Sequence, residues 1–185
     1  MRKIVVALVA SLLLIGLVGC GDSKETETKS DVPVEEILTA IKEKMAENLE
    51  AEYGGEDLLV DGELAGYIEG DLTEENSEDF LVNMLLEQMD LKQEELDEGV
   101  FMAPMMNINS DQIIILKAKE LDNVDSLKEA LERALEQQVI TWEQYLPDQF
   151  EKVKQNIISS EGPYLIYITA NNPESLEEIF IEKVK

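Results

Sequence analysis

A short apolar run at residues 112–119 constrains the fold more than any other feature of the sequence. It reads QIIILKAK, and its three consecutive Ile residues are β-branched and favour an extended strand. Because the central Ile and Leu residues leave no polar face, the strand is expected to be buried on both faces and to lie centrally in a sheet. Lys117 and Lys119 share one face and are expected to point to solvent or to acidic neighbours.

The residues before this strand predict a hairpin. Residues 100–106 form a second apolar stretch, and residues 107–110, which are polar except for Ile108, supply the turn. Pro104 has no N–H to donate, so the first strand is expected to lie at an edge, to carry a bulge or to end there. Met105 and Met106 are typical of core filling in a strand, although methionine also adapts well to a binding partner.

A second hairpin is predicted near the C-terminus. Residues 156–159 and 164–169 flank a turn at Glu161-Gly162-Pro163. Asn171-Asn172-Pro173 then opens a final helix, because Pro suits the first helical position. The inner face of that helix is predicted to hold Leu176, Ile179, Phe180 and Val184.

Apolar residues at helical spacing predict three further helices. The first is capped by Asp31 and runs to about Asn48. A second helical period runs from Phe80 to Met89, within a segment expected to form short helical turns joined by loops. The third is capped by Asp122 or Asn123 and ends or kinks before Pro147, with another turn at residues 148–154.

Together these elements predict a single α+β domain over residues 31–185. It has about four mainly antiparallel strands in two hairpins, packed against helices on one side of the sheet. The order hairpin, then helix, occurs twice, after an N-terminal helix and an acidic helical segment. Trp142 lies on the apolar stripe of a helix near Tyr145 and is expected in the core rather than in a ligand platform.

The first twenty residues predict export and lipid attachment. A basic start is followed by the apolar residues 4–18, a run shorter than the roughly 20 residues of a membrane-spanning helix. Leu17-Val18-Gly19-Cys20 resembles the lipobox of bacterial lipoproteins, which implies lipidation of Cys20. We expect a signal peptide at 1–19, a lipidated Cys20 with a flexible tether over 20–30, and a lipid anchor on the extracytoplasmic face of the cell membrane. An uncleaved anchor with an idle Cys20 thiol is the alternative.

Composition excludes several classes of function. The chain has 15 Lys and Arg against 41 Asp and Glu, no His and one Cys. A histidine base, a Cys/His dyad, a zinc site with His or several Cys ligands, and an internal disulfide are therefore excluded. Nucleic acid is not expected as a partner, because neutralising phosphate requires a basic face.

Residues 56–98 form the most acidic segment, with 16 acidic residues and Lys92 as the one basic residue. They lack the D-x-D-x-D-G spacing of an EF-hand loop. We expect a solvated acidic face rather than a dedicated metal site, although binding of divalent cations or a small ligand by this segment is the alternative.

Catalysis is not expected, and no catalytic residue or cofactor is assigned. Two carboxylates can perform acid/base chemistry without histidine, but in so acidic a chain such pairs arise by chance. A solvated helix surface explains the two groups considered: Glu129, Glu132 and Glu136, and Glu74, Glu75, Glu78 and Asp79.

Several of these segments together resemble a known family. They are residues 102–107, 111–119 and 142–149, with Arg133 and Gly162-Pro163-Tyr164. The chain resembles an uncharacterised family of surface lipoproteins of Gram-positive bacteria, domain of unknown function 4358, over roughly residues 31–185. The resemblance implies a cell-envelope lipoprotein with an N-terminal helix, a helix-rich acidic segment and an α+β core, and it implies no activity.

We therefore expect a noncatalytic binding or protein-interaction module of the cell envelope. Its acidic face or the Met105 and Met106 patch is expected to contact an envelope protein or a small ligand. The identity of that protein or ligand is open at this point.

Overall fold

An antiparallel sheet of five strands forms the centre of the molecule. The structure is a computed structural model, and it describes residues 31–55, 57–74 and 77–185. The strands are β1 Leu59–Val60, β2 Glu63–Leu64, β3 Tyr67–Asp71, β4 Leu96–Pro104, β5 Gln112–Ala118, β6 Ile157–Glu161 and β7 Tyr164–Thr169. The α-helices are α1 Val34–Tyr53, α2 Phe80–Met89, α3 Val124–Glu143, α4 Pro147–Val153 and α5 Pro173–Val184.

The strand order in the large sheet is β3-β4-β5-β7-β6, and every neighbouring pair is antiparallel. β5 is the third of these five strands, and all seven of its residues are buried. The prediction of a central strand covered on both faces is therefore confirmed. The two predicted hairpins are β4–β5 and β6–β7. For the strand that contains Pro104, an edge position, a bulge or an end at that residue was expected, and β4 ends there.

Helices cover both faces of the sheet, so the predicted coverage of one side is wrong. On one face, Ile113 and Ile115 pack in a core that includes residues of α1 and α5. On the other face, Ile114 and Leu116 pack in a core that includes residues of α2 and α3. Successive residues of a strand point to opposite faces, so an apolar run such as 113–116 requires two cores.

The acidic segment holds strands where only helical turns and loops were predicted. β3 adds a fifth strand at the edge of the sheet, and β1 with β2 forms a separate two-stranded sheet. The sequence of β3 is YIEGD, and neither Gly nor Asp favours a strand. Gly70 is needed there because a Cβ atom at this position would lie 2.3 Å from Cε1 of Phe101.

The helices lie where periodicity placed them, but their ends differ. α1 continues to Tyr53, and Asp31 does not cap it, because the Val34 N–H donates instead to Oε2 of Glu98 at 2.9 Å. Asn123 precedes α3, yet its side chain accepts from the backbone N–H of Glu120 rather than from the helix.

Trp142 is buried, as predicted.

The resulting architecture is a single mixed α+β domain with two antiparallel sheets and, among the described residues, five α-helices. The order hairpin, helix, hairpin, helix is present in β4–β5–α3 and β6–β7–α5. α4 confirms the turn predicted at residues 148–154, and β3 is an addition. In this part of the chain, no helix is both long enough and apolar enough to cross a membrane. The predicted signal peptide, Leu17, Val18, Gly19, Cys20 and the tether lie outside the described residues.

Candidate functional site

A groove of about 240 Å³ opens on the sheet face that carries α2 and α3. Its floor comes from β3, β4 and the start of β5, and its walls come from α2, α3 and the loop that joins β4 to β5. It is lined by Ile68, Leu81, Met84, Leu85, Gln88, Phe101, Ala103, Pro104, Met106, Asn107, Asn109, Asp111, Gln112 and Gln138.

Strand register builds the floor of the groove. Ile68 pairs with Ala103, and Gly70 pairs with Phe101, so these residues share one face of the sheet. The absence of a side chain at Gly70 leaves room for the Phe101 ring against β3. The floor is thus apolar and is set by backbone pairing within the sheet.

The walls are rich in methionine. Met84 of α2 and Met106 of the loop both line the groove, and they are 36% and 63% exposed. Met105 is 65% exposed, so the expectation of ordinary core filling is wrong for both residues of the patch. The strand ends at Pro104, which places Met105 and Met106 in a surface loop.

Three side chains form a hydrogen-bonded row that ends at the groove. The indole N–H of Trp142 donates to Oε1 of Gln138 at 2.5 Å. Nε2 of Gln138 donates to Oε1 of Gln112, also at 2.5 Å. Gln112 is 6% exposed and lines the groove. We call this row the amide relay.

Asp111 is held by three donors at the end of the groove. Its Oδ2 accepts from the Tyr67 hydroxyl at 2.5 Å and from the Asn109 amide at 3.1 Å, and its Oδ1 accepts from Nζ of Lys152 at 2.6 Å. The Asp111 and Lys152 side chains are 5% and 14% exposed. The buried carboxylate is therefore paired with a partly buried cation from α4.

The loop that carries Met106 is fastened to α4 next to this ion pair. The backbone N–H of Ser110 donates to Oε1 of Gln149 at 2.9 Å, and its hydroxyl donates to the carbonyl of Gln149 at 3.2 Å. One wall of the groove is therefore tied to α4, which packs against α3.

A second polar cluster lies at the other end of β5. Nζ of Lys117 is 2.7 Å from Asp31, 2.7 Å from Glu98 and 2.9 Å from Asp97. Burial alone would lower the pKa of Lys117, but its hydrogen bonds to Asp31, Glu98 and Asp97 outweigh burial and raise that pKa above its ordinary value. The expectation that Lys117 meets acidic neighbours is confirmed.

The acidic side chains considered for chemistry are dispersed. Glu129, Glu132 and Glu136 lie on the exposed surface of α3, and Asp79 caps α2 by accepting from the Leu81 and Val82 N–H groups. Glu74 and Glu78 are also exposed, and Glu75 lies outside the described residues. Over residues 31–55, 57–74 and 77–185, no group of three or more acidic, His or Cys side chains is arranged to hold a metal ion.

Sequence reasoning missed the polar residues of the groove. Asp111 and Gln112 immediately precede a fully apolar run, and polar residues at the start of a buried strand were the available signal. Gln138 and Lys152 carry no such signal, because their roles arise only when α3 and α4 pack against the loop.

Comparison with known protein families gives a match. The sequence profile of a family described as Domain of unknown function (DUF4358) matches residues 69–170. That range contains every residue of the groove lining except Ile68. No curated protein sequence and no solved structure matches the chain.

Proposed function

Because the chain belongs to the family described as Domain of unknown function (DUF4358), which carries no assigned activity, we propose its function from the groove. The domain is a noncatalytic binding module of the cell envelope, and the groove between α2, α3 and the loop at residues 105–111 is where it binds a small ligand. The observation that carries this proposal is the combination of an apolar floor with a few buried polar groups, which is typical of ligand sites.

The groove is suited to binding rather than to carboxylate catalysis. Among the described residues that line it, Asp111 is the one carboxylate, and it is paired with Lys152 at 2.6 Å. A two-carboxylate hydrolysis mechanism needs a second acid near the first. A lining with one carboxylate, already paired with a lysine, supports binding without chemistry.

The experiment for binding uses the lone tryptophan as a reporter. Trp142 donates a hydrogen bond to groove-lining Gln138, so its fluorescence should respond when the groove is filled. A set of small fragments is screened by fluorescence and by thermal shift, because a ligand that binds the native state raises the melting temperature.

Two variants assign any response to the groove. Ala103→Leu fills the floor and should abolish the shifts, whereas Ala51→Leu, on the exposed surface of α1, should preserve them. If no fragment gives a shift that depends on Ala103, the proposal of a ligand groove fails.

For location, we propose a lipoprotein anchored through Cys20 on the extracytoplasmic face of the membrane, as in the bacterial lipoproteins whose lipobox its N-terminus resembles. The support is the basic start, the short apolar run and the Leu17-Val18-Gly19-Cys20 sequence. A lipid anchor is needed because a domain this acidic is repelled by anionic lipid.

Fractionation of cells that express Cys20→Ala tests the anchor. The variant should leave the membrane fraction or accumulate uncleaved, while Ser23→Ala, three residues later, should behave as wild type. Mass spectrometry of the membrane-extracted protein should show an acylated Cys20, and an unmodified N-terminus there would contradict the proposal.

A further inference from the structure

We propose that the groove selects neutral molecules with an apolar body and a carbonyl group, and that Nε2 of Gln112 donates the hydrogen bond that binds the carbonyl oxygen. This inference rests on the proposed binding role of the groove and adds the chemical class of ligand. It depends on the direction of the amide relay and on the occupied acceptors around it.

The direction of the relay follows from its first member. An indole nitrogen can only donate, so Gln138 must turn its oxygen toward Trp142 and its nitrogen toward Gln112. Gln112 must then accept through Oε1, which leaves Nε2 as the free end of its amide. Within the described part of the chain, Nε2 of Gln112 has no hydrogen-bond partner, although the residue is 6% exposed and lines the groove.

The other buried polar groups around Gln112 are already engaged. Oε1 of Gln138 accepts from Trp142, and Asp111 accepts from Tyr67, Asn109 and Lys152. A ligand that must donate hydrogen bonds, such as an ammonium group, therefore finds little to bind at this end. The buried end of the groove presents a donor, and the complementary ligand atom is an acceptor.

Charge selects against an anionic acceptor. The chain carries a formal net charge of −26, and the Asp111 carboxylate lines the same groove. A carboxylate ligand would be repelled by these negative charges. Lys152 would not compensate the ligand's charge, because it is already paired with Asp111. A neutral carbonyl satisfies the Gln112 donor without that repulsion.

The rest of the groove fits the apolar part of such a molecule. Phe101, Ala103 and Leu85 form an apolar surface, and Met84 and Met106 are flexible side chains that can close over a small body. The volume of about 240 Å³ suits a molecule the size of a short aryl ketone rather than a folded partner.

The test is a set of probes that share one skeleton and differ at one group. 4-Phenylbutan-2-one presents a carbonyl, butylbenzene presents no polar group, 4-phenylbutan-2-amine presents a cation and 4-phenylbutanoate presents an anion. Dissociation constants are measured by NMR titration of the full folded domain. We expect the ketone to bind about tenfold more tightly than butylbenzene, as one hydrogen bond to an unpaired donor in the groove would give.

Matched variants identify the donor. Gln112→Met keeps the length and volume of the side chain and should remove the preference, so that the ketone and butylbenzene bind with about equal dissociation constants. Gln88→Met alters an exposed amide at the rim of the same groove and should keep the full preference. Trp142→Phe removes the donor that orients the relay and should weaken the ketone preference without affecting butylbenzene; amide resonances of the sheet report whether each variant is folded.

The outcomes separate the two proposals. If ketone and hydrocarbon bind equally, and Ala103→Leu abolishes both, the groove is a ligand site and the carbonyl inference is overturned. Preferred binding of the amine or the carboxylate, or a ketone preference that survives Gln112→Met, also overturns it. If none of the probes binds and no fragment shift depends on Ala103, the proposed function itself fails.

Discussion

The ion pair between Asp111 and Lys152 lies at the end of the groove and is largely shielded from water. Removing one partner of a buried pair leaves the other charge without compensation, which usually costs more than the pair contributes. Lys152→Met is therefore expected to lower the free energy of unfolding by about 2–4 kcal/mol in urea titration.

The matched control for this change is Lys154→Met. Lys154 follows the same helix and pairs with Glu151 at 2.6 Å, but the two side chains are 47% and 64% exposed. Exposed pairs contribute little, so a loss below about 1 kcal/mol is expected. Equal losses in the two variants would contradict a special role for the Asp111 pair.

Glu35 of α1 gives a pH-dependent prediction. Partial burial, and then the charge of nearby Glu69, raise the pKa of the Glu35 carboxyl. The folded state therefore binds the proton more tightly than the unfolded state, and stability falls as pH rises from the ordinary Glu value through the raised one. Above that window the loss is complete.

Glu35→Gln should accordingly be more stable than wild type at about pH 7, with the difference shrinking toward about pH 3.5. Because this side chain is exposed to water, the gain is expected to stay below about 1 kcal/mol. Thermal unfolding of both proteins at the two pH values measures it, and a variant less stable at pH 7 would contradict the assigned sign.

Residue-scale features were the hardest to predict from sequence. The amide relay joins residues of β5 and α3 that are 26 positions apart, and only packing of α3 on the sheet brings them together. Met105 and Met106 read as strand residues because they continue an apolar run, whereas Pro104 ends the strand before them.

At the scale of elements, the start of α1 is fixed by the sheet and not by its own cap. The Tyr164 hydroxyl accepts from the Val32 N–H at 2.9 Å and donates to the Val32 carbonyl at 3.0 Å. Glu98 accepts from the Val34 N–H, and Lys117 pairs with Asp31. Asp31, Val32 and Val34 are thus attached to β5, β7 and β4 respectively.

Tyr164→Phe should release this attachment while leaving the helix in place. The expected loss is about 1–2 kcal/mol for two hydrogen bonds that share one hydroxyl, with faster hydrogen exchange at Val32. Tyr145→Phe, at a 51% exposed position, is the control and should change neither quantity. Unchanged exchange at Val32 would show that Tyr164 does not hold the segment.

Periodicity predicted most elements correctly and failed where packing overrode propensity. The four strands of the two hairpins and the helices at α1, α2, α3 and α5 followed from spacing of apolar residues. β3 did not, because Gly70 and its acidic neighbours oppose strand formation locally, and pairing with β4 outweighs that preference. The second helical layer was not predicted, although the apolar run of β5 implies it, because successive strand residues point to opposite faces and each face then needs its own cover.

For the whole molecule, charge sets the response to ions. The 41 acidic residues repel one another, yet those of the described chain form no group arranged to hold a metal. Calcium and sodium chloride at equal ionic strength are therefore expected to raise the melting temperature by similar amounts, through screening.

A saturable calcium effect well above that of sodium would contradict this and would support the alternative of a cation site in residues 56–98. Calorimetric titration of calcium is the second measurement, since specific binding releases or absorbs heat at a defined stoichiometry. Mild, unsaturable stabilisation by both salts would fit a solvated acidic face.

The opposite placement of the two polar clusters on β5 has a mechanical consequence. Gln112 begins the strand at the groove, and Lys117 lies near its other end, roughly 17 Å away at the rise of an extended chain. Force applied through the residues before Asp31 enters the sheet at Lys117 and Tyr164, and it loads their contacts first. Under the proposed anchoring through Cys20, a pull on the domain would therefore load the end of β5 that lies away from the groove.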